Sequence, residues 1–482
     1  MSSAPADRPV VVVGSGLAGL TAALDLADAG LDVVVLEARS RFGGATSTFS
    51  RAGTADRPGL LVDTGQHVAL RCYHAWLGLL RRLGTDPLVR VQPRLSIPVL
   101  HPIDGAVQRS VLRRDPLPAP AHLLRALAGY RVLTPARRVA AVRAAVALRG
   151  VDPAADASDR IAFGTWLRRH GQDAPTIEAV WDLFTVAACN AGVDEVSLAV
   201  AARVLTRALL ATTDAADIAV PTAPLSALHV EPAVEALRAA GARVQRRVPV
   251  RAVLSSPDGL RVRTDDGDLA AAGVVCAVPA HTARALLPDE VEVPGGLAYA
   301  PIVNVHVVYD RTVTTDPFVA TVGSDAQWVF DRTVPSGLAA VDPGAQYLAV
   351  SLSAAGRWVG VPADELVAHF VRELARLFPR AAGATVRDAF VTREKRATFV
   401  AAPGSGLSRP RARTAVPGLV LAGAWTDTGL PDTMEGAVLS GHAAAGQLLG
   451  GAAGRLLGGA PGQLLGGRPG SVAECRDTLP AR

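Results

Sequence analysis

An α/β architecture, with an interleaved α+β partner domain, is what the sequence predicts, and three observations carry it. A G-x-G-x-x-G turn joins an apolar strand to an Ala/Leu-rich helix near the start of the chain. An acidic residue closes the strand that follows, and strand-like runs return at two later points, far along the sequence.

The opening PVVVVG reads as a strand, followed by a Gly turn, a helix through Ala29, and a second strand LDVVVLE ending at Glu37. This is a βαβ unit. Gly14, Gly16 and Gly19 permit the tight turn, close approach of a pyrophosphate and close helix packing, while Ser15, Leu17 and Ala18 open the helix whose N–H groups face the phosphates. Glu37 stands eighteen residues after Gly19, where a carboxylate accepts both hydroxyls of a ribose. Residues 50 to 230 show Pro clusters and helical stretches. GARVQRRVPVRAVL, LRVRTDDG and VVCAVP then read as short strands, so the chain leaves the nucleotide domain and returns. Between Tyr299 and Phe399, the runs IVNVHVVYD, QWVFDR and YLAVSLS and a helix over 364–377 predict a sheet-based second domain. PGLVLAGAW is the third return, a strand leading through a loop to a helix starting near Glu435. The division expected is 1–72, 230–292 and 411–449 for the nucleotide domain, and 73–229 and 293–410 for the substrate domain. Residues 450–482, a Gly/Ala-rich tail repeating LLGG, are expected to be disordered.

Length and composition narrow the class. A chain of 482 residues predicts two or three domains, and 49% hydrophobic residues with a mean hydropathy of +0.26 suit an enzyme that works near membranes. A net charge of +5, with no basic block interleaved with aromatics, argues against nucleic acid. Cys72, Cys189, Cys276 and Cys475 are scattered, which argues against a zinc site or disulfide framework and fits a cytoplasmic location. The N-terminus lacks a basic leader, and no apolar run reaches the roughly 18 to 20 residues of a membrane span.

The residues after Glu37 discriminate between nucleotides. ARSRFGG adds Ala38, Arg39, Arg41 and a Gly43-Gly44 pair that can pass beneath a second phosphate or a ribityl chain. This extension resembles FAD proteins of the amine oxidase and phytoene desaturase superfamily, and LVLAGAWTDTGLPDTMEGAVLSG resembles their strand, loop and flavin-facing helix. Read together, VDTGQHVALRCYHAWLGLLRRLG, YAPIVNVHVVYDR, QWVFDR, REKRATFVAAPG and WTDTGLPDTMEGAVLSG look like hydroxysqualene dehydroxylases, from about Val10 to Leu449. The resemblance implies a two-dinucleotide-binding, Rossmann-like FAD domain. It also extends the cofactor shell to Gly65, Gln66, His67, Val250, Gly423, Ala424, Thr433, Met434, Glu435 and Ala437.

That family removes the hydroxyl of hydroxysqualene to give squalene in bacterial squalene and hopanoid synthesis. The alternatives are a carotenoid-type desaturase or isomerase, and a non-catalytic isoprenoid-binding protein; the intact glycine fingerprint opposes the last. One departure is Ala424, where the superfamily commonly carries an acid for a ribityl hydroxyl, with Asp427 as a substitute. His67, Glu435 and Asp427 are the expected catalytic groups, His67 because an imidazole titrates near neutral pH. Glu435 also fits capping or flavin support, Asp432 a loop cap, and His306 a structural role. Residues 121–150 carry six arginines among Leu, Ala and Val and predict a monotopic contact with the inner face of the cell membrane. The implied partners are an isoprenoid substrate, that membrane surface and the upstream squalene-pathway synthases.

Overall fold

The computed structural model describes residues 8–54 and 59–450. The expected disordered tail, beyond Gly450, and Cys475 lie outside the described residues. Strands β1 (Val10–Val13) and β2 (Val33–Glu37) flank helix α1 (Leu17–Asp28). Their unbroken apolar runs are buried on both faces, as central parallel strands require. Val10 and Val12 pack with α1, whereas Val11 and Val13 join the cluster on the opposite face. Gly14 has φ +102°, and a Cβ on Gly19 would lie 2.0 Å from the Gly14 carbonyl oxygen, so the helix crosses the strand only with glycine at both positions. A hairpin of β3 (Thr48–Arg51) and β4 (Leu60–Asp63) precedes α2 (His74–Leu83).

The stretch read as helical and Pro-rich contains a hairpin, β5 (Ser96–Ile103) and β6 (Ala106–Arg113), before α3 (Pro135–Leu148). Asp104 and Gly105 connect the hairpin with φ values of 48° and 77°, a two-residue turn whose twist matches the strands. The chain then enters β7 (Arg243–Arg246), an antiparallel meander over 250–271, and β8 (Gly273–Cys276). The outward excursion holds β9 (Tyr299–Tyr309), β10 (Phe318–Thr321), β11 (Trp328–Asp331), β12 (Gln346–Leu352), α4 (Ala363–Leu377) and β13 (Val386–Phe399). The last return is β14 (Leu419–Leu421) and α5 (Met434–Gly450).

Two sheets result. The first is parallel, in the order β7-β2-β1-β8-β14, and draws its strands from three distant parts of the chain. The second runs β13-β9-β12-β11-β10-β5-β6. Helix α4 lays Leu366, Phe370, Leu374 and Leu377, a stripe at helical spacing, on Val303, Val305, Val307 and Tyr309 of β9. The alternate β9 residues Asn304, His306 and Val308 point to the other face, where Val308 packs with Leu60 and Val62 of β4. That face of the second sheet therefore meets the N-terminal segment that follows the glycine fingerprint.

Candidate functional site

The site starts at the β1–α1 turn. Glu37, at the end of β2, accepts hydrogen bonds from the Ser15 N–H at 3.0 Å and the Ser15 hydroxyl at 2.6 Å on one oxygen, and from the Arg39 N–H at 2.8 Å on the other. The carboxylate is thus fixed at the mouth of the turn rather than free, and each oxygen retains acceptor capacity. Gly43 N–H donates to the Ser15 carbonyl at 2.9 Å, and a Cβ on Gly44 would lie 3.2 Å from Gly16 Cα, so the Gly43-Gly44 pair folds back onto the fingerprint. A Cβ on Gly16, by contrast, would meet nothing within 4 Å, which leaves open space before the first turn of α1. Leu17 and Ala18 are buried in that turn. Arg39 and Arg41 are exposed, and both act on Glu394 of β13, whose carboxyl is raised by burial against their pull. Val248 N–H donates to the Glu37 carbonyl, which brings the strand beginning at Val250 beside the same corner.

The TGQHV segment lies at the junction with the second sheet. Asp63 accepts from Arg332 at 2.6 Å, from the Thr48 hydroxyl at 2.6 Å and from the Leu225 N–H at 3.0 Å, which ties three chain segments together. Half-buried His67 makes one contact, between Nδ1 and the Gly65 carbonyl at 3.1 Å. Burial holds its imidazole below the ordinary value, although Gly65 and Asp63 oppose this. His67 is therefore neutral near pH 7, and the expectation that it stores a proton there is not met. Around it stand buried polar atoms with no partner among the described residues: Gln66 Oε1, Trp76 Nε1 and both ring nitrogens of His229, which burial and His67 push down to about 3.

The third side comes from β14, its loop and α5. Gly423 N–H donates to the Ser440 hydroxyl at 2.9 Å, and the Thr433 hydroxyl caps α5 by accepting the Gly436 N–H at 3.1 Å. The cap is thus Thr433, not Glu435. Buried Glu435 accepts from the Trp76 N–H at 3.0 Å and from Arg207 at 2.9 Å, so both oxygens are engaged in joining α5 to α2 and to Arg207. Such a carboxylate is an anchor rather than a proton donor. Met434 is buried and Ala437 half-buried in the first turn of α5, whose N-terminus favours negative charge. Asp427 is exposed, and its N–H donates to the Pro410 carbonyl at 2.8 Å, which leaves its carboxylate without a hydrogen bond among the described residues.

One residue here was not picked out by sequence reasoning, and another is expected from sequence only in a lesser role. Arg409 is 7% exposed, and its guanidinium donates to the carbonyls of Ala424 (2.7 Å), Trp425 (3.3 Å), Leu430 (2.8 Å) and Thr426, and to the Thr428 hydroxyl (3.0 Å). It thereby fixes the loop that carries Ala424. Asp432, expected only as a loop cap, accepts from the Phe399 N–H at 3.3 Å, and burial raises its carboxyl to about 6. His306 does behave as a structural histidine, held by Tyr347 at 2.7 Å and Thr392 at 3.0 Å. Among the described residues no cluster of His, Cys, Asp and Glu could hold a metal ion.

A carboxylate fixed at the end of β2, open space at a glycine turn on a helix N-terminus, and unpartnered buried polar atoms further in are the features of a dinucleotide-binding site. The comparisons agree. The family model for flavin containing amine oxidoreductases matches residues 17–449. A hydroxysqualene dehydroxylase of Rhodopseudomonas palustris is 31% identical over 450 residues, covering 92% of this chain and 98% of the relative. A chloroplastic/chromoplastic 15-cis-phytoene desaturase of Narcissus pseudonarcissus is 28% identical over 454 residues, covering 90% and 78%. Among solved structures, cyclohexylamine oxidase from Brevibacterium oxydans has a TM-score of 0.69 at 20% identity, covering 93% and 99%, a likeness of fold. The chain belongs to the flavin-containing amine oxidoreductases and, within them, to the hydroxysqualene dehydroxylase family. It is an FAD-dependent oxidoreductase.

Proposed function

We propose that the protein reductively removes the hydroxyl of hydroxysqualene, giving squalene and water, in bacterial squalene and hopanoid synthesis. The observation that carries this reading is the 31% identity to a hydroxysqualene dehydroxylase along nearly the whole of both chains. The reaction takes one alcohol, two electrons and two protons to one hydrocarbon and one water. FAD bound in its reduced form would supply the two electrons as a hydride. The chain's own residues must bind the cofactor, protonate the leaving oxygen and exclude water. Glu37, oriented by Ser15, accepts the ribose hydroxyls; Gly16 admits the pyrophosphate; and the N-terminus of α5 stabilises an anion placed before it.

For the proton, the site offers Asp432 in place of His67 or Glu435. With a pKa of about 6 it is protonated in a useful fraction of molecules near neutral pH, where a solvated carboxyl is not. The allylic hydroxyl then leaves as water, and the delocalised cation survives because bulk water is kept out. His67 serves as a neutral group beside the Asp63–Arg332 junction.

The protein binds the inner face of the membrane through residues 121–150. On α3, Val139 and Val146 are 52% and 57% exposed on the same side as Arg143, and Leu124 and Arg131 are exposed nearby. Arg137 and Arg138 are instead engaged internally, with Asp173 at 2.8 Å and the Tyr130 carbonyl at 3.0 Å. No helix among the described residues is long and apolar enough to cross a membrane. The direct test is to reduce the protein without oxygen, add hydroxysqualene and analyse for squalene. A polyene desaturated by the oxidised protein, with no squalene from the reduced one, replaces this reading with the desaturase.

A further inference from the structure

The chain has two asparagines, and the fold treats them oppositely. Asn190 is fully paired: its Nδ2 donates to the Ala300 carbonyl at 3.1 Å and the Thr398 hydroxyl at 2.9 Å, and its Oδ1 accepts the Ala354 N–H at 2.6 Å. Asn304 is 1% exposed, yet neither its Nδ2 nor its Oδ1 has a partner among the described residues. A buried amide without partners costs stability, because its lost hydration is not replaced. Asparagine is also a poor strand former, and β9 is otherwise Val, Ile and aromatic at this point.

Its direction says what it waits for. On β9 it shares a face with His306, away from α4. In register across to β13 it pairs with Thr392, and the next residue of β13 on that face is Glu394, which is within the influence of Arg39 and Arg41 beside the ribose-binding Glu37. Across to β12 it stands opposite Ser351, and further along the same face His306 and Tyr347 border the Asp63–Arg332 junction next to His67. Asn304 is thus walled by the second sheet and aimed at the seam between that sheet and the cofactor-binding segments.

We propose that Asn304 is a specificity-determining residue whose amide binds the one polar group of an otherwise hydrocarbon substrate, its hydroxyl; this rests on the dehydroxylation reading. An amide offers a donor and an acceptor side by side, and a hydroxyl is the smallest group able to use either. The consequence is discrimination between substrate and product. Alcohol is held by the amide, whereas the hydrocarbon product leaves it unpaired and is released.

The test uses the oxidised holoenzyme, which binds without turning over, titrated with hydroxysqualene and with squalene by the change in flavin absorbance. The variants are Asn304→Leu, which is nearly isosteric, and Asn304→Ala, which cannot overpack. Expected are retained FAD, an unlowered melting temperature for Asn304→Leu without ligand, and a 10- to 100-fold fall in the preference for alcohol over hydrocarbon in both. Lowered melting temperatures in both variants would show an internal or water partner and overturn the proposal. Loss of FAD or a shifted flavin spectrum would place the amide on the cofactor and overturn it as well. Wild type that discriminates while both variants discriminate equally well removes this inference alone; wild type that binds neither compound removes the dehydroxylation reading beneath it.

Discussion

Replacing Asp432 with Asn separates a proton donor from an ordinary loop carboxylate. Burial raises the carboxyl from an ordinary 3.8 to about 6. At about 1.4 kcal/mol per pH unit, the ionised form would cost up to about 3 kcal/mol of folding stability. Asp432 is partly exposed, and solvent screening reduces this to about 1–2 kcal/mol. The sign follows from which state releases its proton first. Below about pH 3 the carboxyl is protonated in both folded and unfolded chains and costs almost nothing. As pH rises the unfolded chain ionises first, and above pH 6 the full penalty applies. Asp432→Asn should therefore stabilise the protein by about 1–2 kcal/mol at pH 7.5 and by almost nothing at pH 3, measured by urea unfolding with the holoenzyme. The same variant should slow single-turnover reoxidation by hydroxysqualene by about 10²- to 10⁴-fold with FAD still bound. His67→Ala should slow it far less, because the N–H of a neutral imidazole is too weak an acid to protonate the leaving oxygen. Equal stability changes at the two pH values, or an unchanged rate, would refute the reasoning, and a large loss in His67→Ala alone would return the acid to His67.

Glu37→Ala should release FAD, read as loss of the yellow absorbance on gel filtration; stoichiometric flavin at unchanged affinity would contradict the fingerprint assignment. Arg409→Met leaves the carbonyls of Ala424, Trp425, Thr426 and Leu430 without their shared donor, and should lower unfolding stability by about 3–5 kcal/mol. Arg131→Gln with Arg143→Gln should weaken binding to anionic liposomes by about 30-fold at low salt, at about 1 kcal/mol per arginine. Arg137→Gln with Arg138→Gln should weaken it little, since both side chains are held within the protein.

Local chemistry made much of this legible in the sequence. The strand, Gly turn, helix and Glu37 are contiguous, and each requirement of that unit is met within a few residues. The hairpin of β5 and β6 was legible in principle from its Asp104-Gly105 turn, but Pro98 and Pro102 interrupt the strand pattern and favour a loop reading. Glu435 was read as a helix-start acid because only its own helix is visible in sequence. Its partners Trp76 and Arg207 lie 359 and 228 residues away, and their approach is decided by tertiary packing. Asp432 and His67 show the same limit in their proton chemistry. Their ordinary pKa values would make His67 the group protonated at the higher pH, but burial lowers the imidazole and raises the carboxyl, which the sequence does not show. Arg409 gave no motif at all, since a guanidinium that serves backbone carbonyls leaves no trace in the residue types it touches.

The central claim is the direction of the chemistry: electrons pass from the flavin to an alcohol. The measurement that tests it most directly is an anaerobic titration of the fully reduced holoenzyme with hydroxysqualene, following flavin reoxidation and product in the same sample. The account predicts one squalene formed per FAD reoxidised, with no reaction when squalene is mixed with the oxidised protein. Reduced flavin that persists beside unchanged hydroxysqualene, while a polyene reduces the oxidised protein, would contradict it.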